Sequence, residues 1–156
     1  MPQNQEMRDL VAKMKLIPNR AIIEGKRMVF LDDSIVRGTQ LKDNTIDLRK
    51  SGAAEVHMRI ACPPLLYPCQ FLNFSQSRTP MELAGRKAVH ELEGQTEDIA
   101  EYSDPDSEKY NKMVKKIAET LNLDSLMYQR LDDLVEAIGL PKERLCTHCW
   151  DGSGYF

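Results

Sequence analysis

A chain of 156 residues, 42% hydrophobic and 29% charged, has the size and composition of one packed domain. Its 21 basic and 24 acidic residues leave a formal charge of -3, too weak a field to gather nucleic acid or an anionic membrane, so any phosphate must be held locally. No apolar run approaches the roughly 20 residues of a bilayer span, and Met1-Pro2-Gln3-Asn4-Gln5-Glu6 lacks the basic-then-apolar order of a secretory signal. The expectation is a cytoplasmic protein with no membrane and no nucleic-acid partner. In such a reducing compartment Cys62, Cys69, Cys146 and Cys149 are expected as thiols or metal ligands rather than as a disulfide framework.

Met7, Leu10, Val11 and Met14 recur at the spacing of an amphipathic helix, which Pro18 closes. Glu24-Gly25-Lys26 reads as a turn before the apolar run Met28-Val29-Phe30-Leu31, which predicts a buried strand with Asp32 and Asp33 at its C-terminal end. Leu41, Thr45 and Leu48 return at helical spacing until Ser51-Gly52. From Glu55 to Ala61, Val56, Met58 and Ile60 alternate in strand fashion. Residues 28–61 therefore predict a βαβ unit, hence a parallel sheet flanked by helices.

Pro63, Pro64 and Pro68 mark the stretch from Cys62 to Cys69 as a loop. Thr79 and Pro80 read as the cap and first position of a helix running to about Glu93, with Leu83, Val89 and Leu92 in its apolar face. Residues 91–110 hold eight acids against the single base Lys109, which predicts a solvated linker. Met113, Val114, Ile117, Ala118 and Leu121 form another helical stripe. Leu126-Met127-Tyr128 suggests a short strand, and Leu131, Leu134, Val135 and Ile138 a last helix that Gly139 and Pro141 end. The expected organisation is 1–93 for the sheet domain, 94–110 for the acidic linker and 111–156 for a helical, cysteine-containing extension.

The string Val29-Phe30-Leu31-Asp32-Asp33-Ser34-Ile35-Val36-Arg37-Gly38-Thr39 places a loop between a parallel strand and a helix, where backbone N–H groups meet the positive end of the helix dipole. Gly38 permits close backbone approach, Ser34 and Thr39 offer hydroxyls and Arg37 a charge, which together suit a phosphate. Asp32 and Asp33 suit sugar hydroxyls or a hydrated magnesium ion instead. A bare Asp-Asp pair is more often a helix cap or a turn. The whole string resembles the phosphoribosyl pyrophosphate (PRPP) signature of type I phosphoribosyltransferases, in wording closest to the amidophosphoribosyltransferases.

Through that resemblance Asp32, Asp33, Ser34, Ile35, Val36, Arg37, Gly38 and Thr39 are expected to hold the ribose 5-phosphate of PRPP or a nucleotide, with Mg2+ at Asp32 and Asp33. This chain has Gln40 where family members often carry a second threonine. The implied fold is a partial type I phosphoribosyltransferase fold with helices on both faces of a parallel sheet. The likeness extends to Pro2-Gln3 through Lys15-Leu16, to Glu24-Gly25-Lys26-Arg27, Lys50-Ser51-Gly52-Ala53-Ala54-Glu55-Val56, Pro63-Pro64 and Pro68-Cys69, and to the segment from Cys146 to Tyr155. Residues 95–122 look longer than the family's equivalent.

Cys146-Thr147-His148-Cys149 has the spacing that lets two thiolates reach one metal or cluster iron, and is also that of two free thiols or a redox pair. The resemblance implies a [4Fe-4S] cluster on Cys69, Cys146 and Cys149, its fourth cysteine having no counterpart here. Cys62 lies outside that pattern and reads as a small buried strand residue. His148 is a candidate substitute ligand or an exposed side chain, and Trp150 and Tyr155 are expected to cover the site.

The implied parent reaction makes 5-phosphoribosylamine from PRPP and glutamine, the first step of de novo purine synthesis. A glutaminase domain with an N-terminal cysteine and the family's pyrophosphate loop find no match in this sequence. The expectation is therefore ligand binding without turnover, and a need for an N-terminal region or for a homo-oligomer to cover the open strand edge. The alternatives are a non-catalytic PRPP or nucleotide sensor, and an interaction module holding zinc with the C-x-x-C pair, Cys69 and His148.

Overall fold

The computed structural model describes residues 18–71, 80–94 and 99–154. The predicted helix at residues 7–14, the cap at Thr79 and Tyr155 lie outside the described residues. Asn19 caps a single turn, α1 (Arg20–Ile23), by accepting the Ala21 N–H at 3.1 Å. One turn is too short to show a period, and the sequence gives no helical signal there. The chain then enters β1 (Arg27–Asp32), crosses through α2 (Thr39–Lys50) and returns in β2 (Glu55–Ile60). A second crossover contains a 3-10 turn at Pro80–Glu82, α3 (Ala84–Glu93), a 3-10 turn at Ala100–Ser103 and α4 (Glu108–Thr120) before β3 (Ser125–Tyr128). The strands pair in the order β1-β2-β3, all parallel.

The register fixes which side chains share a face. Met28 lies opposite Val56, Phe30 opposite Met58, Met58 opposite Leu126 and Ile60 opposite Tyr128. This face is the core: Val56, Met58 and Ile60 are buried, and Met113, Ile117 and Leu121 of the second crossover and Leu41 and Leu48 of α2 pack in the same cluster. Each fully buried aliphatic side chain contributes about 1.5–3 kcal/mol. Two crossovers of one hand between sequential parallel neighbours deliver their helices to the same side of the sheet.

The opposite face differs from the expected buried strand. Val29 is 57% exposed and Leu31 82% exposed, as is Met127 at 57%. β1 is an edge strand, and only its Met28 and Phe30 side turns toward α2. Hydrophobic runs mark a strand buried on both faces, but among the described residues that outer face carries a polar ladder in place of packed helices. His57 bonds Glu55 at 2.8 Å and its register partner Ser125 at 2.8 Å, and Arg59 reaches the Ser125 hydroxyl at 3.1 Å.

The second crossover brings two further corrections. Pro80 opens a 3-10 turn rather than the α-helix, which starts at Ala84, and Leu92 is exposed where Ala88 and Val89 are buried. The acidic stretch is also no mere solvated segment, because Ile99 and Tyr102 are buried in the core. Its charge is answered across space: Lys109 reaches Glu101 at 2.9 Å, Lys116 reaches Glu91 at 3.0 Å, and Arg130 grips Asp106 with two bonds of 2.9 and 2.7 Å. The last elements are α5 (Leu131–Ile138), a 3-10 turn at Lys142–Arg144 and α6 (His148–Asp151). The stripe of α5 has no buried residue, and Ile138 is exposed.

Asp124 ties the ends of three elements together. Its Oδ2 accepts the Val56 N–H at 2.6 Å and Arg49 Nη2 at 2.5 Å, while Arg49 Nη1 donates to the Ala54 carbonyl at 3.1 Å. The Val56 amide first, and Arg49 after it, hold the Asp124 carboxyl below its ordinary value of 3.8. A carboxylate so depressed adds stability above the unfolded-state pKa and loses it as the pH falls through the lower folded value. Asp124→Asn should cost about 1 kcal/mol at neutral pH, the charge-assisted figure being discounted because the carboxylate is 37% exposed. Urea titrations check this. The gap to the parent should close in acid, and a gap that stays constant across the acid range refutes the assignment.

Candidate functional site

The three parallel strands end flush. Ala61 N–H donates to the Asp32 carbonyl at 3.0 Å and Gln129 N–H to the Ile60 carbonyl at 2.9 Å. Asp32 closes β1 and Asp33 leaves it, so both carboxylates stand exposed at the carboxyl edge of the sheet, where open α/β sheets bind ligands. Asp32 Oδ1 accepts the Asp33 N–H at 3.0 Å and Asp33 Oδ1 the Ser34 hydroxyl at 3.3 Å. Among the described residues no cation pairs with either aspartate, and the second oxygen of each carboxylate takes no hydrogen bond. Two adjacent open acceptors suit vicinal sugar hydroxyls or a hydrated divalent cation.

Ile35 anchors the loop by burying its side chain, 4% exposed, against Gly38 and the core. Gly38 then turns the chain into α2 with φ at 74°, and a Cβ there would sit 3.0 Å from Leu121 Cδ2. No side chain caps α2, and no acid sits in its first turn. The N–H groups of its first turn are therefore left for another acceptor, at the positive end of a twelve-residue helix. Ser34, Arg37 and Thr39 surround this opening in sequence, and Arg37 and Thr39 are exposed. Arg37 is not free, however: its Nη2 meets Glu82 Oε2 at 2.5 Å.

The cysteines converge from two segments. The Cys149 carbonyl accepts the Leu66 N–H at 2.9 Å and the Tyr67 N–H at 3.1 Å, which seats α6 on the loop after β2. Thr147, buried, donates to Asp151 at 2.9 Å and stiffens the turn between Cys146 and Cys149. Burial first, and then the neighbouring Cys69 and Cys146, push the Cys149 thiol up to about 12. A thiol held neutral by burial is one that a cationic centre would relieve of its proton. Among the described residues no group of three or more His, Cys, Asp or Glu side chains is placed to hold a metal ion.

Cys62 is not a strand residue. β2 ends at Ile60, Cys62 is half-buried, and its thiol donates to the Pro63 carbonyl at 3.3 Å. Burial pushes that thiol up to about 11 despite the Trp150 side chain, which pulls it down, with Asp33 adding to the rise. Cys62 thus sits between the aspartate loop and the cysteine turn. His148 Nδ1 donates to the Ser153 carbonyl at 2.7 Å, and its ring lies 5.8 Å from that of Tyr67.

No protein-family model matches the chain. Its sequence is 37% identical over 148 residues to the amidophosphoribosyltransferase of Methanothermobacter thermautotrophicus, covering 95% of this chain and 26% of that protein. The corresponding enzyme of Methanocaldococcus jannaschii is 36% identical over 96% of the chain and 26% of its own length. A solved glutamine PRPP amidotransferase from B. subtilis, complexed with ADP and GMP, superposes with a TM-score of 0.64 at 27% identity, over 98% of this chain and 29% of that one. The chain is homologous to the amidophosphoribosyltransferases. It spans about a quarter of the length of the curated relatives it matches. A second solved structure, described as the allosteric regulatory enzyme of purine biosynthesis, shares the fold at a TM-score of 0.62 and 24% identity.

The three-stranded parallel sheet with its flanking helices therefore matches part of the type I phosphoribosyltransferase fold of the PRPP amidotransferases. The sequence reading missed the contact of Glu82 with Arg37, because nothing in one sequence links a carboxylate to an arginine 45 positions earlier. It also missed Tyr67, which packs beside His148 and under Arg86 at 5.2 Å. Gly38→Ala should lose about 1–2 kcal/mol, since a side chain there adopts the left-handed region and crowds Leu121. Equilibrium unfolding tests this, and a variant as stable as the parent would show that the loop can turn without glycine.

Proposed function

We propose that this chain supplies the ribose 5-phosphate loop of an amidophosphoribosyltransferase, an enzyme that converts PRPP and glutamine to 5-phosphoribosylamine at the start of purine synthesis. The observation that carries the reading is the pairing of two open carboxylates with an uncapped helix start across one short loop. The phosphate is held by the N–H groups opening α2, helped by the hydroxyls of Ser34 and Thr39. Asp32 and Asp33 take the ribose hydroxyls and hold hydrated Mg2+, which supplies charge neutralisation for the pyrophosphate. Ile35, Val36 and Gly38 shape the backbone of the cradle. Within the expected 111–156 extension, β3 (Ser125–Tyr128) is the third strand of the same sheet.

Cys69, Cys146 and Cys149 are three ligands of a [4Fe-4S] cluster in this reading. What supports it is their convergence from two segments and the relief that a cationic centre gives to a thiol pushed up to about 12. The cluster's part is to cross-link α6 to the loop after β2.

Titration calorimetry with PRPP and Mg2+ tests the loop. The purified chain should bind, and Asp33→Asn should weaken binding on the order of tenfold or more, the size expected for losing one or two charge-assisted bonds. Binding that survives substitution of both aspartates would overturn the assignment. For the cysteines, anaerobic reconstitution with iron and sulfide should give a cluster absorption that Cys149→Ser abolishes. Uptake of zinc with no iron and sulfide signal would instead favour the interaction-module reading.

A further inference from the structure

We propose that Glu82 is a positioning residue for the ribose 5-phosphate loop, acting through Arg37. The inference rests on the reading of that loop as the phosphate cradle. Consecutive loop residues are tethered in three ways. Ile35 is buried, the Val36 carbonyl accepts the Ala84 N–H at 2.8 Å, and Arg37 Nη2 meets Glu82 Oε2 at 2.5 Å. Two of these tethers end on one segment, and that segment is firmly seated. Leu83, between the two anchor points, is completely buried. Gly85 lies so close to the loop after β2 that a Cβ would sit 2.8 Å from Leu66 Cδ2 and 3.1 Å from the Leu65 carbonyl. The carboxylate of Glu82 is therefore presented from a fixed backbone.

Arg37 is 52% exposed and Glu82 32%, and ion pairs so placed add little to global stability. What the pair does is local. The planar guanidinium, committed to Glu82, spans the loop and stops residues 36–38 from swinging. The backbone N–H groups that face the phosphate then keep one arrangement before the ligand arrives, which removes an ordering cost from binding. Arg37 serves as a strut in this role, with the phosphate charge met by amides and hydroxyls.

Affinity of the full chain for ribose 5-phosphate in the presence of Mg2+, measured with melting temperature, tests the proposal. Glu82→Ala and Arg37→Ala should each weaken binding about tenfold, with unchanged melting. The double variant should be no weaker than the single ones, and Glu82→Gln, which still accepts the Arg37 hydrogen bond, should recover most of the affinity. Unchanged or tighter binding in Glu82→Ala, or additive losses in the double variant, would overturn it. Should the parent chain not bind ribose 5-phosphate, the loop reading itself fails. Amide hydrogen exchange at residues 36–38 then decides the role of Glu82, faster exchange in Glu82→Ala upholding the strut and unchanged exchange refuting it.

Discussion

Parallel pairing of β1, β2 and β3 is the constraint from which the rest of the molecule follows. Parallel neighbours cannot be joined by a tight turn, so each connection must travel the length of the sheet and carry a helix back. With strands in sequential order both connections fall on one side, and the core becomes the single layer between the Met28, Phe30, Val56, Met58, Ile60 and Leu126 face and the helices over it. The same geometry sends all three strands out at one edge. Asp32 and Asp33, Cys62 and Gln129 emerge there together though they are far apart in sequence.

At that edge the chain divides its chemistry between two neighbouring places. The aspartate loop offers open acceptors beside an uncapped helix, and the cysteine turn offers Cys149, a thiol that burial keeps neutral. Cys62 stands between them, under the influence of Asp33 on one side and Trp150 on the other. The loop after β2 is gripped from two directions as well. Arg86 donates to the Leu66 carbonyl at 2.6 Å from α3, while the Leu66 and Tyr67 amides both point at Cys149.

Much of this was legible in the residues. The period of two at Val56, Met58 and Ile60 gave both the strand and its buried face, and the stripe from Met113 to Leu121 gave α4, because burial on one side imposes those periods directly. The eleven-residue loop was legible through resemblance more than through physics, since a bare Asp-Asp pair names nothing. Reading Met28 to Leu31 as buried on both faces failed because hydrophobicity reports what a strand can cover, not what covers it. The acidic stretch misled for a related reason: its charge pairs with Lys116 and Arg130 across the fold, and Tyr102 hides beneath. Glu82 and Tyr67 acquire meaning only once distant segments meet.

The seating of α6 on the loop after β2 has an entropic side. Cys69 and the pair Cys146 and Cys149 bracket most of the second crossover, with its α3 and α4, together with β3 and α5. Any inorganic centre bonded to all three would close that long segment into a ring, removing extended conformations from the unfolded chain much as a disulfide does, an effect of about 4 kcal/mol for a loop of this order. The thiol site would then act as a staple for the very helices that roof the sheet, and its loss would be felt as a loosening of the whole second crossover.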